Sequence, residues 1–138
     1  MKLPANQRLQ FLPGQYIDIL LKDGRRRSFS LANAPHDDEF LQLHARNYSG
    51  GAFAEYVFTQ MKVKDMLRFT GPLGSFFLRD ASEETAIIFL ASGTGFAPIK
   101  SILEHVFFQE SNRNSKRKMT LYWGARTKAD LYLADLAD

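Results

Sequence analysis

Three short stretches of the chain hold the residue types that binding chemistry needs. The first is "RRRSFSLANAP", residues 25–35, where a guanidinium, an aromatic ring and two hydroxyls fall within four consecutive residues, 27–30. Alternate side chains of a strand share a face, so Arg27 and Phe29 are neighbours about 6 to 7 Å apart. That spacing suits a ligand carrying both a phosphate and a flat ring. Arg27 can pair with phosphate, Phe29 can cover the ring, and Ser30, with its backbone N–H, can donate to a ring nitrogen. The same stretch also reads as an edge strand protected by arginines, with Phe29 in the core.

The second stretch is "SGG", residues 49–51, opening "AFAEYVFTQM", in which Phe53, Val57 and Met61 recur at helical spacing. Its glycines allow an anion close to the backbone at a helix start, and Ser49 or Gly50 is placed to cap. An ordinary capped helix has the same appearance. The third is "GTGFAP", residues 93–98, between an apolar strand and an amphipathic helix, where dinucleotides bind at a strand's carboxyl end. Pro98 stands where G-x-G-x-x-G has its third glycine, so this motif alone is a weak signal, although proline suits a first helical turn.

These stretches need elements to position them. "QYIDILL" runs through the Asp23-Gly24 hairpin signal into "RRRSFSL", and "FLQLHAR", "MLRFTG" and "SFFLR" read as further short strands. Residues 1–80 therefore predict an antiparallel β-barrel with one helix. After the polar "DASEET", the run "AIIFLA" has the continuous apolar character of a parallel strand covered on both faces. Ile99, Ile102, Leu103, Val106 and Phe107 mark a helix stripe, "MTLYWGA" a second apolar strand and "KADLYLADLA" a second helix. Residues 85–138 thus predict βαβα, the first half of a doubly wound α/β nucleotide-binding domain.

Composition sets the outer bounds. With 138 residues, 45% of them hydrophobic, the chain can bury a core. Eighteen Lys and Arg against 15 Asp and Glu leave a formal charge of +3, too scattered to require nucleic acid or membrane. The aromatics occupy core-like positions rather than alternating with basic residues, which argues against a basic barrel for single strands. The chain contains no cysteine, excluding thiolate chemistry and an iron–sulfur cluster within it, and His36, His44 and His105 lack metal-ligand spacing, so no metal site is expected. No apolar run approaches a membrane span and no signal peptide is visible, which predicts a cytoplasmic protein.

Taken together and in this order, "RSFSLANAP", "SGGAFAEYV", "GPLGSFFLR", "ASGTGFAP" and "YWGARTKADLYL" resemble the ferredoxin–NADP reductase superfamily, and most closely its flavin reductase, phenol hydroxylase reductase and CDP-6-deoxy-glucoseen reductase members. The resemblance implies a barrel holding FAD, or FMN, with Arg27 on phosphate, Phe29 against the flavin beside Ser28, and Ser30 near N5 as the residue closest to the chemistry. It implies that His44, Ala45 and Arg46 line the flavin through their backbone, and that Gly50, Gly51, Ala52 and Phe53 form the pyrophosphate loop. Gly93, Thr94, Gly95, Pro98 and Arg126 would belong to the pyridine-nucleotide side.

The reaction implied is hydride transfer from NAD(P)H to flavin, then electrons onward to a protein acceptor or free flavin, the cofactor carrying the chemistry. Two departures stand out. Relatives place a Ser or Thr where this chain has Ala54. The barrel reads as starting at its second strand and the nucleotide domain as ending halfway, so a catalytically incomplete flavin-binding fragment, or an electron-transfer subunit needing a partner chain, is the alternative. Exposed apolar strands on such a half domain predict a homo-oligomer.

Overall fold

The computed structural model describes residues 1–48, 50–79, 85–113 and 117–136, without the side chains of Ala52, Asn112 and Arg113. Alternation of apolar and polar residues makes Tyr16–Leu20 (β1) a half-buried strand whose Ile17 and Ile19 are fully buried. Arg26–Ser30 (β2) pairs antiparallel with it, across a turn in which Gly24 takes a φ of 81° that few side chains tolerate. Arg68–Leu73 (β3) pairs with the other edge of β1, giving the order β2-β1-β3. Gly71 lets β3 approach closely, because a Cβ there would lie 2.7 Å from Cγ2 of Ile17.

Between β2 and β3, Ala52–Glu55 (α1) continues directly into a wider π-helical turn over Tyr56–Gln60, closed by the Met61 N–H donating to the Tyr56 carbonyl at 2.8 Å. Phe53 joins Phe11, Ile17, Ile19, Leu31 and Leu41 in one buried cluster.

Two expected strands of this half do not form ladders. The "FLQLHAR" segment touches its neighbours at the isolated bridges Lys2↔Phe40 and Leu31↔Leu43. One reason is that the Gln42 N–H donates to the side-chain oxygen of Asn33 (2.8 Å) instead of to a strand. The "SFFLR" segment is irregular, its Phe76 carbonyl lying against Gly14.

The second half is a parallel pair, Ile87–Ser92 (β4) with Met119–Gly124 (β5), connected through Phe96–Arg113 (α2). Parallel strands require such a crossover. Ile99, Ile102 and Val106 of the expected stripe are buried with Phe89 and Phe96, whereas Phe107 is half-exposed. Pro98 sits in the first turn of α2, where its missing N–H costs nothing. The expected helix over "KADLYLADLA" is replaced by two short 3₁₀ turns, Lys128–Asp130 and Ala134–Leu136. The first is opened by a reciprocal N-terminal cap between Thr127 and Asp130. The observed architecture is thus an antiparallel barrel-like sheet with one short helix, followed by a partial α/β unit. Ser49 and most of the "DASEET" stretch lie outside the described residues. No helix among the described residues is long and apolar enough to cross a membrane.

Candidate functional site

The register of the β-sheet decides what β2 presents. Phe29 stands opposite Ile17 and Arg27 opposite Ile19, so both belong to the face that carries the core. Phe29 packs against that core and tilts over Phe53, ring centroids 4.6 Å apart. Arg27, two residues nearer the turn, extends past the core into solvent, where its guanidinium donates to the carbonyl of Arg26 (2.8 Å). Arg25 differs, since it is tied to Asp23 by an ion pair of 2.6 Å. On the opposite face the Ser28 hydroxyl donates to Asp18 Oδ1 at 2.6 Å.

Phe29 and Phe53 form part of the wall of a cavity of about 350 Å³. From β2 it takes Arg27, Ser28, Phe29 and Ser30; from the extended segment that follows, His44, Ala45 and Arg46; from the α1 loop, Tyr48, Gly51 and Ala54; and from the turn before α2, Thr94, Gly95 and Ala97. The three stretches singled out in the sequence therefore converge on one space. A second cavity of about 420 Å³ shares His44, Ala45, Arg46 and Thr94 with the first and adds Gly93, Asp130 and Tyr132.

Several expected residues stand elsewhere. Gly50, Pro98 and Arg126 line neither cavity, and Gly93 lines only the second. Gly50 instead supplies a left-handed turn, with φ at 81°. Gly51 lines the first cavity, but its N–H is already given to the Tyr48 carbonyl at 3.1 Å. The side chain of Ala52 lies outside the described residues.

Residues that sequence reasoning missed close the second cavity. The Tyr132 hydroxyl lies 2.6 Å from His44 Nδ1, and Arg46 pairs with Asp130 at 2.9 Å. Tyr132 also meets Trp123 edge to face at 5.2 Å, and Trp123 stacks on Phe96 at 4.0 Å. Burial, reinforced by the Lys100 cation, pushes the His44 pKa down to about 4, while burial pushes Tyr132 up to about 12. Both are therefore neutral at pH 7, so the phenol can donate to the imidazole.

The site's residues fit a flavin nucleotide. The aromatic wall suits a flat ring, and Arg27 is an exposed guanidinium available for phosphate. Gly95 adds a second reason. It lines the cavity and its φ lies outside the left-handed range, yet a Cβ added there would meet nothing within 4 Å. Among the described residues nothing requires glycine at that position, and its open side leaves clearance for a ligand.

Residues 1–78 match the family model "Oxidoreductase FAD-binding domain", and residues 89–138 match "Oxidoreductase NAD-binding domain". The chain is 40% identical over its full length to the CDP-6-deoxy-L-threo-D-glycero-4-hexulose-3-dehydrase reductase of Yersinia pestis, covering 40% of that protein. It is 41% identical, again over its full length, to reductase component 1 of the terephthalate 1,2-dioxygenase of Comamonas sp., covering 39% of it. Among solved structures, the Amycolatopsis cytochrome P450 reductase GcoB superposes with a TM-score of 0.83 at 32% identity, over 95% of this chain and 39% of that one. The chain spans about 40% of the length of the curated relatives it matches. With the FAD-binding model covering more than half of its residues, the chain belongs to the oxidoreductase FAD-binding family of the ferredoxin–NADP reductase superfamily.

Proposed function

We propose that this chain holds FAD, with FMN as the smaller variant, in the cavity between β2 and the turn before α2, and serves an NAD(P)H-dependent cytoplasmic reductase. When bound, the flavin would take a hydride from the pyridine nucleotide and pass electrons to a protein acceptor or to free flavin. The observation that carries this reading is the convergence of Arg27, Phe29 and Gly95 on one space.

The roles follow from chemistry and place. Arg27 offers a bidentate guanidinium to phosphate. Phe29 and Phe53 exclude water from one side of the ring. Ser30 presents a hydroxyl at the strand end, and His44, Ala45 and Arg46, which follow the Leu31↔Leu43 bridge, line the same cavity beside it. Gly51, Ala52 and Phe53 bring the α1 loop to the phosphates, with Gly50 setting its turn. Thr94 belongs to both cavities, so we assign the pyridine nucleotide to the second, with Gly93 lining it. Pro98, in the first turn of α2, and Arg126, just before the turn that supplies Asp130, are assigned to the same side from the sequence motifs. We assign residues 1–80 to the flavin half and 85–138 to the nucleotide half; their separate buried clusters support that division.

The direct test is to purify the chain, add FAD and remove the excess. A visible flavin band at close to one equivalent is expected; colourless protein that gives no binding heat would overturn the reading. We further propose self-association through the outward face of β4 and β5, supported by the exposure of Ile88 (66%), Leu90 (74%) and Tyr122 (61%). Light scattering should report a dimer or larger species that Leu90→Lys reduces to monomer; a wild-type monomer at micromolar concentration would contradict it.

A further inference from the structure

Lys100 is a lysine buried to 8% exposure, in the second turn of α2 and outside both cavities. A buried ammonium is tolerated only when its hydrogen bonds are satisfied, and here all three donors find acceptors. They reach the Ala32 carbonyl (3.2 Å), the Gln42 side-chain oxygen (3.0 Å) and Glu104 one turn along the same helix (2.6 Å).

The places of the first two acceptors give the contact its meaning. Ala32 lies two residues beyond Ser30, and Gln42 two residues before His44. The two are themselves joined, because the Ala32 N–H donates to the Gln42 carbonyl at 2.8 Å. Lys100 thus lands where the two segments that carry the first cavity's walls meet. It projects from the same rigid helix whose start brings Thr94, Gly95 and Ala97 to that cavity. Beside it, the fully buried Ser101 donates to the Asn33 carbonyl at 2.8 Å. Asn33 in turn holds the Asp37 carbonyl and the Gln42 N–H.

We propose that Lys100 is a positioning residue: its ammonium group fixes how the helix carrying the Gly93–Gly95 turn faces the strands carrying Arg27–Ser30 and His44–Arg46. The cavity is thereby complete before a ligand arrives. The claim that a flavin profits from this rests on the function proposed above; the claim about orientation does not.

The experiment is therefore done first on the ligand-free chain. Residual dipolar couplings of wild type should fit one alignment tensor for residues 1–79 and 85–136. Lys100→Met, and Lys100→Met combined with Glu104→Gln to remove the carboxylate left behind, should each preserve the couplings within the two halves but require two different tensors. Gln42→Leu removes a single acceptor at an exposed position and should move in the same direction by less; it decides the matter if the Lys100 variants do not fold. A single tensor fitting the folded variants as well as it fits wild type would overturn the proposal, since loss of a residue that merely adds stability lowers the melting temperature without reorienting anything. In the FAD-loaded protein, Lys100→Met should weaken FAD by about tenfold through lost preorganisation. Undiminished affinity in a variant whose halves have reoriented would show that the joint forms no part of the cavity.

Discussion

The strand β1, middle of its three-stranded sheet, and β4, one member of a parallel pair, have outward faces built from opposite materials. Along β1 the inward residues are Ile17 and Ile19, and between them Asp18 turns outward to accept from Ser28. Along β4 the inward Phe89 is flanked by Ile88 and Leu90, both aliphatic and both mostly exposed. The first strand is patterned for a sheet with water on one side, the second for a sheet covered on both. An aliphatic residue's type alone therefore says little of its contribution to the stability of this chain; the face it occupies decides.

That contrast can be broken most directly in the cores. Ile19→Ala should destabilise the chain by about 2 to 5 kcal/mol, because it leaves a cavity in a closed cluster. Leu90→Ala should cost within about 0.5 kcal/mol. Urea denaturation at low protein concentration measures both, and equal losses would erase the distinction between the halves.

The next effect concerns two arginines one strand-step apart. Arg27→Ala should cost about 1.5 to 3 kcal/mol of flavin affinity, the worth of a charge-assisted contact. Arg25→Ala should cost far less, since Asp23 already engages that guanidinium. Calorimetric titration with FAD would separate them; equal losses would withdraw Arg27 from the phosphate role.

Acidification probes the joint between the halves. His44 has a folded pKa near 4, below its ordinary 6.5, so the unfolded chain binds this proton more readily. Its contribution to stability is complete above about pH 6.5 and is lost as pH falls toward 4. His105, also lowered by burial and by His36, acts in the same direction. Asp23, held low by Arg25, begins to matter only below its ordinary 3.8. Thermal unfolding should thus show a midpoint that falls between pH 6.5 and 4.5, with a shallower fall in His44→Gln. A flat profile in wild type would remove His44 from the joint.

The smallest expected change is a gain. Ala54 faces the first cavity, and Ala54→Ser would add a hydroxyl there, tightening FAD by about threefold to tenfold if it reaches phosphate. Unchanged affinity in the same titration would show that the loop needs no hydroxyl.

Much of this framework was legible because its signals are local. Period-two alternation and the Asp23-Gly24 turn specify β1 and β2, and the apolar run followed by Ile99, Ile102 and Val106 specifies β4 and α2. Arg27, Phe29, Ser30, Thr94 and Gly95 do converge, as their motifs imply. What escaped was set by partners distant in the chain. Tyr132 reads as one residue of a helix, but it is drawn to His44, 88 positions away, and Asp130 to Arg46, 84 positions away. Likewise no local signal marks Lys100, whose acceptors Ala32 and Gln42 lie 68 and 58 positions away. The Gln42 N–H was lost to a side chain, and no strand propensity encodes that exchange.

Trp123 is the only tryptophan of the chain, and its indole N–H donates to the Gly93 carbonyl at 3.0 Å while its ring lies stacked on Phe96. The protein therefore carries one indole, excitable at wavelengths where its tyrosines do not absorb, wired to the backbone of the turn that borders both cavities. Its emission arises from a single site, so any quenching or spectral shift on adding a flavin or a pyridine nucleotide has one origin. Flavins absorb where indoles emit, which makes energy transfer a reagent-free gauge of occupancy at that turn.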